Sequence, residues 1–121
     1  MALIDDDVAV RESLETLLKS AGHVARVFCS AQEFLDSGSL PEANCVVTDA
    51  VMPGIDGLEL QRRIRAQRSA VPVIFISAHV NDETRRRALR EGAVAFLYKP
   101  FDPTELLEFI ALSPDGTSGI T

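Results

Sequence analysis

Asp5, Asp6 and Asp7 stand together immediately after the short apolar run Ala2-Leu3-Ile4, and Asp49 follows a second run, Cys45-Val46-Val47-Thr48. Ser77 closes Val73-Ile74-Phe75-Ile76, and Lys99 closes Ala95-Phe96-Leu97-Tyr98. Two carboxylates about 4 Å apart repel by roughly 4 kcal/mol at an effective dielectric of about 20, so acids gathered in one place need a positive partner. A hard divalent cation is one: Mg²⁺ takes one or two carboxylates, keeps several waters and leaves room for phosphate oxygens. An ammonium group is a point charge suited to phosphate, and a hydroxyl can donate to a phosphoryl oxygen. Each residue also has a plainer explanation, as solvated surface acids, a serine at a strand end or a solvated lysine. Their shared position after apolar runs sets them apart.

The elements that must position these residues are legible in the alternation of short apolar runs with amphipathic stretches, which is βαβα order. Val24-Ala25-Arg26-Val27-Phe28 is the fifth such run. Only four residues precede Asp5, so the first strand is expected to be short. Val10, Leu14, Leu17, Leu18 and Ala21 recur at helical spacing and Gly22 stands where that helix would end. Ser30 and Glu33 form a capping box for a short second helix with Phe34-Leu35 as its buried face, broken by Gly38 and Pro41. A third helix is expected from about Gly57 to Arg68. A fourth opens on Asp82-Glu83, acids favoured by the helix dipole, and closes at Glu91-Gly92. The fifth takes Asp102 as N-cap and Pro103 at its first position, and runs to about Leu112. No internal repeat is visible. Five strands alternating with five helices imply a doubly wound α/β sandwich, in which ligands bind beyond the carboxyl ends of the strands where strand order reverses.

Bulk properties agree with a single domain over residues 1–112, followed by a flexible tail or the start of a linker at 113–121. The 121 residues are 46% hydrophobic and 25% charged, an ordinary globular balance. No apolar run approaches the roughly 20 residues of a membrane-spanning helix, and the N-terminus carries no export signal, so the expected compartment is the cytoplasm. A net charge of −6 argues against direct nucleic-acid binding by this segment. The two cysteines, Cys29 and Cys45, lack metal-site spacing and are expected to be reduced and structural.

The blocks Ile4-Asp5-Asp6-Asp7, Val47-Thr48-Asp49, Met52-Pro53-Gly54-Ile55-Asp56-Gly57, Ile76-Ser77-Ala78 and Lys99-Pro100-Phe101 resemble, in order, the signature blocks of response regulator receiver domains from two-component signalling. The likeness covers about residues 2 to 112. The stretches Met52 to Leu60 and Phe96 to Phe101 are most similar to receivers of nitrogen-fixation-type regulators, whose partner domain is a helix-turn-helix DNA binder. The resemblance, and not any spacing, implies a flavodoxin-like (βα)5 sandwich with a five-stranded parallel sheet of order 2-1-3-4-5.

It also implies roles. Asp49 would be the phosphoacceptor, taking a phosphoryl group from a histidine kinase or phosphotransfer protein. Asp5, Asp6, Asp49 and the backbone carbonyl of Val51 would hold Mg²⁺, with Mn²⁺ as a substitute. Lys99 and Ser77 would contact the acceptor or its phosphoryl group, and Ser77 and Phe96 would act as the switch pair. Phosphorylation would then alter the surface of the fourth helix, fifth strand and fifth helix and so control an output, transcription through a C-terminal DNA-binding domain outside this chain. The arginines of the fourth helix, Arg85, Arg86, Arg87 and Arg90, either pair with acids such as Asp102, Glu105 or Glu108 of a second copy in a homodimer or form a solvated helix face, which explains them equally well. Read locally, Met52-Pro53-Gly54 is a turn, with Gly54 and Gly57 supplying backbone freedom. His79 is either a loop histidine or a group that tunes the lifetime of the acyl phosphate.

Such a chain assists its own phosphorylation and dephosphorylation and is otherwise not an enzyme. Three other readings stand beside it: a receiver-like interaction module that is never phosphorylated, a flavodoxin-like cofactor binder, which no phosphate-cradling Gly-rich loop after the first strand supports, and a Mg²⁺-dependent phosphatase working through an aspartyl phosphate. Those phosphatases generally carry a second aspartate two residues after the nucleophile, where this chain has Val51.

Overall fold

The computed structural model describes residues 1–67, 70–78, 81–99 and 101–112, with Leu112 described by its backbone alone. Expectations that fall on Arg68, His79, Pro100 and the 113–121 tail lie outside the described residues. The strands are β1 (Ala2–Ile4), β2 (Arg26–Phe28), β3 (Val46–Asp49), β4 (Val73–Ser77) and β5 (Ala95–Tyr98), and the helices are α1 (Val8–Ser20), α2 (Ala31–Asp36), α3 (Gly57–Ala66), α4 (Asp82–Arg90) and α5 (Pro103–Leu112). A 3-10 turn at Leu40–Glu42 precedes β3, with Pro41 inside it.

All strand pairs are parallel and the order is β2-β1-β3-β4-β5. Both the α/β architecture and the strand order are as expected. The apolar runs are fully buried in β1, β3 and β4 because helices cover both faces of the sheet. Side chains alternate between the two faces. Leu3, Val47, Ile74 and Ile76 pack with Leu14 and Leu18 of α1 and with Leu106 and Ile110 of α5. Ile4, Val46, Val73 and Phe75 pack with Phe34 of α2, Leu60 and Ile64 of α3 and Ala88 of α4. Each large side chain removed from water contributes about 1.5–3 kcal/mol, so these two layers fix the sheet and, with it, the strand ends.

Local chemistry sets the helix starts. Ser30 Oγ accepts from the Glu33 amide at 3.0 Å, Asp56 Oδ1 from the Glu59 amide at 2.9 Å and Asp102 Oδ1 from the Thr104 amide at 2.9 Å. Asn81, not singled out in the sequence, caps α4 by accepting from the Thr84 amide at 2.8 Å. Several boundaries differ from expectation. β2 is shorter than the apolar run that announced it, since Val24 is 84% exposed and lies before the edge strand begins. Helix α3 ends at Ala66 with Gln67 as its cap, sooner than expected. Cys45 is buried as expected, but Cys29 is exposed. It sits just past the edge strand β2, where its thiol donates to Glu33 Oε2 at 2.9 Å, an arm that a full capping box would send to the Ser30 amide.

Candidate functional site

The strand order makes the chain leave β1 toward β2 on one side, while β3 lies on the other. The connections therefore diverge at the β1/β3 boundary and open a crevice at the carboxyl ends of the strands. Asp5 is the first residue after β1 and Asp49 the last of β3, so both stand at that crevice. Ala50 donates its amide to the Ile76 carbonyl at 3.1 Å, which carries the β3–β4 pairing one residue past Asp49 and sets Ser77 beside it. Ser77 pairs with Tyr98 across β4 and β5, and its carbonyl accepts from the Lys99 amide at 2.7 Å. Four separate segments thus converge through sheet register alone.

The acids are not equivalent. Asp5 is fully buried and Asp49 nearly so, whereas Asp6 is exposed. Asp5, Asp6 and Asp49 each offer a carboxylate oxygen within 4.8 Å of the others, close enough to surround one cation. Asp7 is otherwise engaged: its Oδ1 accepts from the Ala9 and Val10 amides at 2.9 and 3.3 Å as the N-cap of α1. The triplet therefore divides into two site carboxylates and one helix cap.

Lys99 lies between the buried acids. Its Nζ donates to Asp5 Oδ2 at 2.9 Å and to Asp49 Oδ2 at 3.1 Å. The second oxygens are held by backbone amides, Asp5 Oδ1 by Asp7 at 2.9 Å and Asp49 Oδ1 by Val51 at 3.0 Å, and Arg11 Nη1 donates to the Asp5 carbonyl at 2.8 Å. Burial pushes the Asp5 carboxyl above the usual carboxylate range, although the Asp7 amide and Lys99 pull it down. For Lys99, burial alone would lower the ammonium pKa, but hydrogen bonds and charges from Asp5 and Asp49 outweigh it and the net shift is upward. The site accordingly holds a firmly protonated lysine against a carboxylate that is costly to keep ionised.

The remaining candidates are placed as follows. Ser77 is buried at the end of β4. Val51 is 58% exposed at the rim. Phe96 is buried in β5, stacked on Phe75 with ring centroids 5.7 Å apart and tilted against Tyr98 at 5.5 Å. It belongs to the α3/α4 side of the core, which makes it part of the packing that supports α4.

Gly54 adopts φ +75°, the left-handed turn conformation that favours glycine. Gly57 has a different reason to be glycine, and the expectation of backbone freedom there is corrected. A Cβ on Gly57 would lie 2.5 Å from the Asp49 carbonyl oxygen, 2.8 Å from Ala50 Cα and 2.8 Å from Phe75 Cε1. The first residue of α3 is pressed directly onto the end of β3, and its amide donates to the Ala50 carbonyl at 3.0 Å. Sequence reading placed Gly57 in a motif but gave no sign of this contact, which exists only once helix and strand are packed.

The chain matches the response regulator receiver domain family over residues 1–111. It is 44% identical over 108 residues to the transcriptional regulatory protein FixJ of Bradyrhizobium diazoefficiens, covering 89% of this chain and 53% of that protein. It is 41% identical over 111 residues to FixJ of Azorhizobium caulinodans, covering 92% and 53%. Among solved structures, full-length FixJ from B. japonicum superposes with a TM-score of 0.85 at 40% identity, covering 98% of this chain and 59% of that one. The chain spans about half the length of the relatives it matches. No helix among the described residues is long and apolar enough to cross a membrane.

Proposed function

Because this chain belongs to the response regulator receiver domain family, as carried by FixJ-like transcriptional regulators, we propose that Asp49 accepts a phosphoryl group with a divalent cation bound beside it. The observation that carries this reading is the three-carboxylate cluster with Lys99 Nζ between Asp5 and Asp49. An oxygen of the Asp49 carboxylate forms a bond to phosphorus as the bond from phosphorus to the donor's imidazole nitrogen breaks. The imidazole keeps the electron pair, and the product is an acyl phosphate. Lys99 holds the acceptor carboxylate and balances charge on the phosphoryl oxygens, and the Ser77 hydroxyl donates to one of them. Phosphoryl transfer asks mainly for such positioning and charge stabilisation, so no separate general base is needed.

Residues 1–112 make up the receiver domain. Oxygen-only, strongly acidic ligands fit Mg²⁺, or Mn²⁺ in its place, better than a soft metal. Asp5, Asp6, Asp49 and the Val51 carbonyl would hold the ion, which when bound neutralises charge on the phosphoryl oxygens. Adding Mg²⁺ at neutral pH is expected to raise the melting temperature, by about 2.7 kcal/mol of stability at a hundredfold excess over Kd, and Asp5→Asn should abolish the response. The sign with pH follows from the raised Asp5 pKa. In the metal-free protein ionised Asp5 is a cost that appears as pH rises from the usual aspartate range through the raised value, and it disappears below that range. Protons therefore compete with the metal, and the Mg²⁺-induced stabilisation, followed by calorimetry, should shrink as the solution is acidified. A stabilisation indifferent to Asp5→Asn would count against this cluster as the binding site.

The donor is a histidine kinase or phosphotransfer protein in the cytoplasm. The chain modifies only itself and turns over no separate substrate. Phosphorylation draws Ser77 toward the new group and resettles Phe96, shifting the surface formed by α4, β5 and α5; a switch from 1:99 to 99:1 requires about 5.5 kcal/mol of differential interaction. Arg85, Arg86, Arg87 and Arg90 of α4 meet Asp102, Glu105 or Glu108 of a second copy in the activated homodimer. The output is transcription, through a C-terminal DNA-binding domain. Incubation with acetyl phosphate and Mg²⁺ tests the chemistry: intact mass should rise by one phosphoryl group, and chelation of the metal should prevent it. An unchanged mass in the presence of the metal would sink the proposal.

A further inference from the structure

Strand β1 ends between two neighbours, and the carbonyl just past its end is held by a side chain. The register pairs Ile4 with Phe28, so the backbone groups of Leu3 and Asp5 face β2, and the Asp5 amide donates to the Phe28 carbonyl at 3.2 Å. A parallel ladder would next send the Ser30 amide to the Asp5 carbonyl. Ser30 is instead the N-cap of α2, where the chain turns away from β1. Arg11, one turn into α1, takes that place: its Nη1 donates to the Asp5 carbonyl at 2.8 Å. Helical side chains lean toward the helix N-terminus, which lets this half-buried arginine reach back to the strand it follows.

That carbonyl belongs to the peptide joining Asp5 to Asp6, and the acids of the cluster depend on it unequally. The Asp5 carboxylate is fixed by Lys99 Nζ and the Asp7 amide, and the Asp49 carboxylate by Lys99 Nζ and the Val51 amide. The Asp6 carboxylate is exposed and makes no hydrogen bond or ion pair among the described residues, although one of its oxygens lies within 4.8 Å of the other two acids. Its place in the cluster is therefore set by its backbone alone. A peptide free to rotate would carry that side chain away, and Arg11 is the group that holds the peptide's carbonyl.

We infer that Arg11 is a positioning residue for the acid cluster, which by pinning the Asp5–Asp6 peptide keeps the Asp6 carboxylate turned toward a divalent cation. The inference rests on the reading of Asp5, Asp6 and Asp49 as a cation site. Charge and position pull in opposite directions here. A guanidinium nearby repels a dication, so if charge were its only influence its removal would tighten binding. Loss of a hydrogen bond behind a ligand typically weakens metal binding by about 10- to 100-fold. Position wins, because solvent and salt screen the charge of a half-exposed arginine but do not replace its hold on the peptide.

Titration of the whole chain with Mn²⁺, the free ion being counted by electron paramagnetic resonance, tests this. Arg11→Met, which keeps an apolar stem but removes donor and charge, should raise Kd by about tenfold. Asp6→Asn should also raise it, and adding Arg11→Met to Asp6→Asn should change little further, because the arginine acts through that carboxylate. A general loosening of the fold would weaken both backgrounds alike. Should Arg11→Met fail to fold, Arg11→Lys replaces it: the shorter side chain keeps the charge, and Kd should still rise. Where Asp6→Asn binds too weakly to measure, the direction of the Arg11 effect decides alone. An unchanged or lower Kd in the Arg11 variants, or equal losses with and without the Asp6 carboxylate, would overturn the inference and leave the cation site standing. A parent chain that takes up no Mn²⁺ would overturn both.

Discussion

Replacing Asp49 with asparagine is expected to abolish phosphoryl uptake from acetyl phosphate while leaving the fold intact. The two halves of that expectation come from different atoms of one side chain. Asparagine keeps an oxygen that can accept from the Val51 amide, now 3.0 Å from Asp49 Oδ1, and Lys99 keeps Asp5 at 2.9 Å as an anionic partner. What is lost is a carboxylate oxygen able to form an anhydride. Intact mass before and after incubation, with melting temperature on the same sample, separates loss of chemistry from loss of structure. Persistent phosphorylation of Asp49→Asn would place the acceptor elsewhere.

Gly57→Ala should have the largest effect on stability of any single methyl group added near the site. The new Cβ would meet the Asp49 carbonyl oxygen at 2.5 Å and Ala50 Cα at 2.8 Å. Both are backbone atoms of the acceptor segment, so no rotamer change relieves them. Overpacking of this kind costs about 1–3 kcal/mol, which for a domain of this size lowers the melting temperature by roughly 5–10 °C. The structure can adapt only by moving α3 or the end of β3, and displacement of Asp49 by a fraction of an ångström should slow phosphoryl uptake by about tenfold or more. Gly54→Ala provides the contrast. A Cβ there meets no atom within 4 Å but is strained by φ +75°, so it should cost about 1 kcal/mol and leave α3 seated on β3. If Gly57→Ala melted and reacted like the parent, the close approach of α3 to β3 would not be what holds Asp49 in place.

The architecture was readable because its signals are local and repeated. Apolar runs buried on both faces announced β1, β3 and β4, and side-chain caps such as Ser30 and Asp102 work within three residues of themselves. Asn81 went unnoticed because the acids after it, Asp82 and Glu83, are the louder sign of a helix start. Asp7 stands in the triplet with Asp5 and Asp6, and only the structure shows its carboxylate turned to the α1 amides. Cys29 was expected inside on residue type alone, but burial depends on which strand lies at the sheet edge, and that is decided by topology. The Lys99–Asp5 contact joins residues 94 positions apart, and Gly57 against Asp49 and Phe75 is a matter of tenths of an ångström. Neither leaves a mark in spacing. Positions of the site residues at strand ends could be anticipated; which acid is buried, which is exposed and which carboxylate oxygens Lys99 reaches could not.

The assignment of Asp49 as acceptor is most directly tested by trapping the modified residue chemically. Borohydride reduces an aspartyl phosphate to homoserine, so chain treated with acetyl phosphate and Mg²⁺, reduced, digested and sequenced by mass should carry homoserine at position 49, with aspartate unchanged at 5 and 6, and none when the metal is chelated. Homoserine at another position, or a phosphate that survives reduction on Ser77, would contradict it.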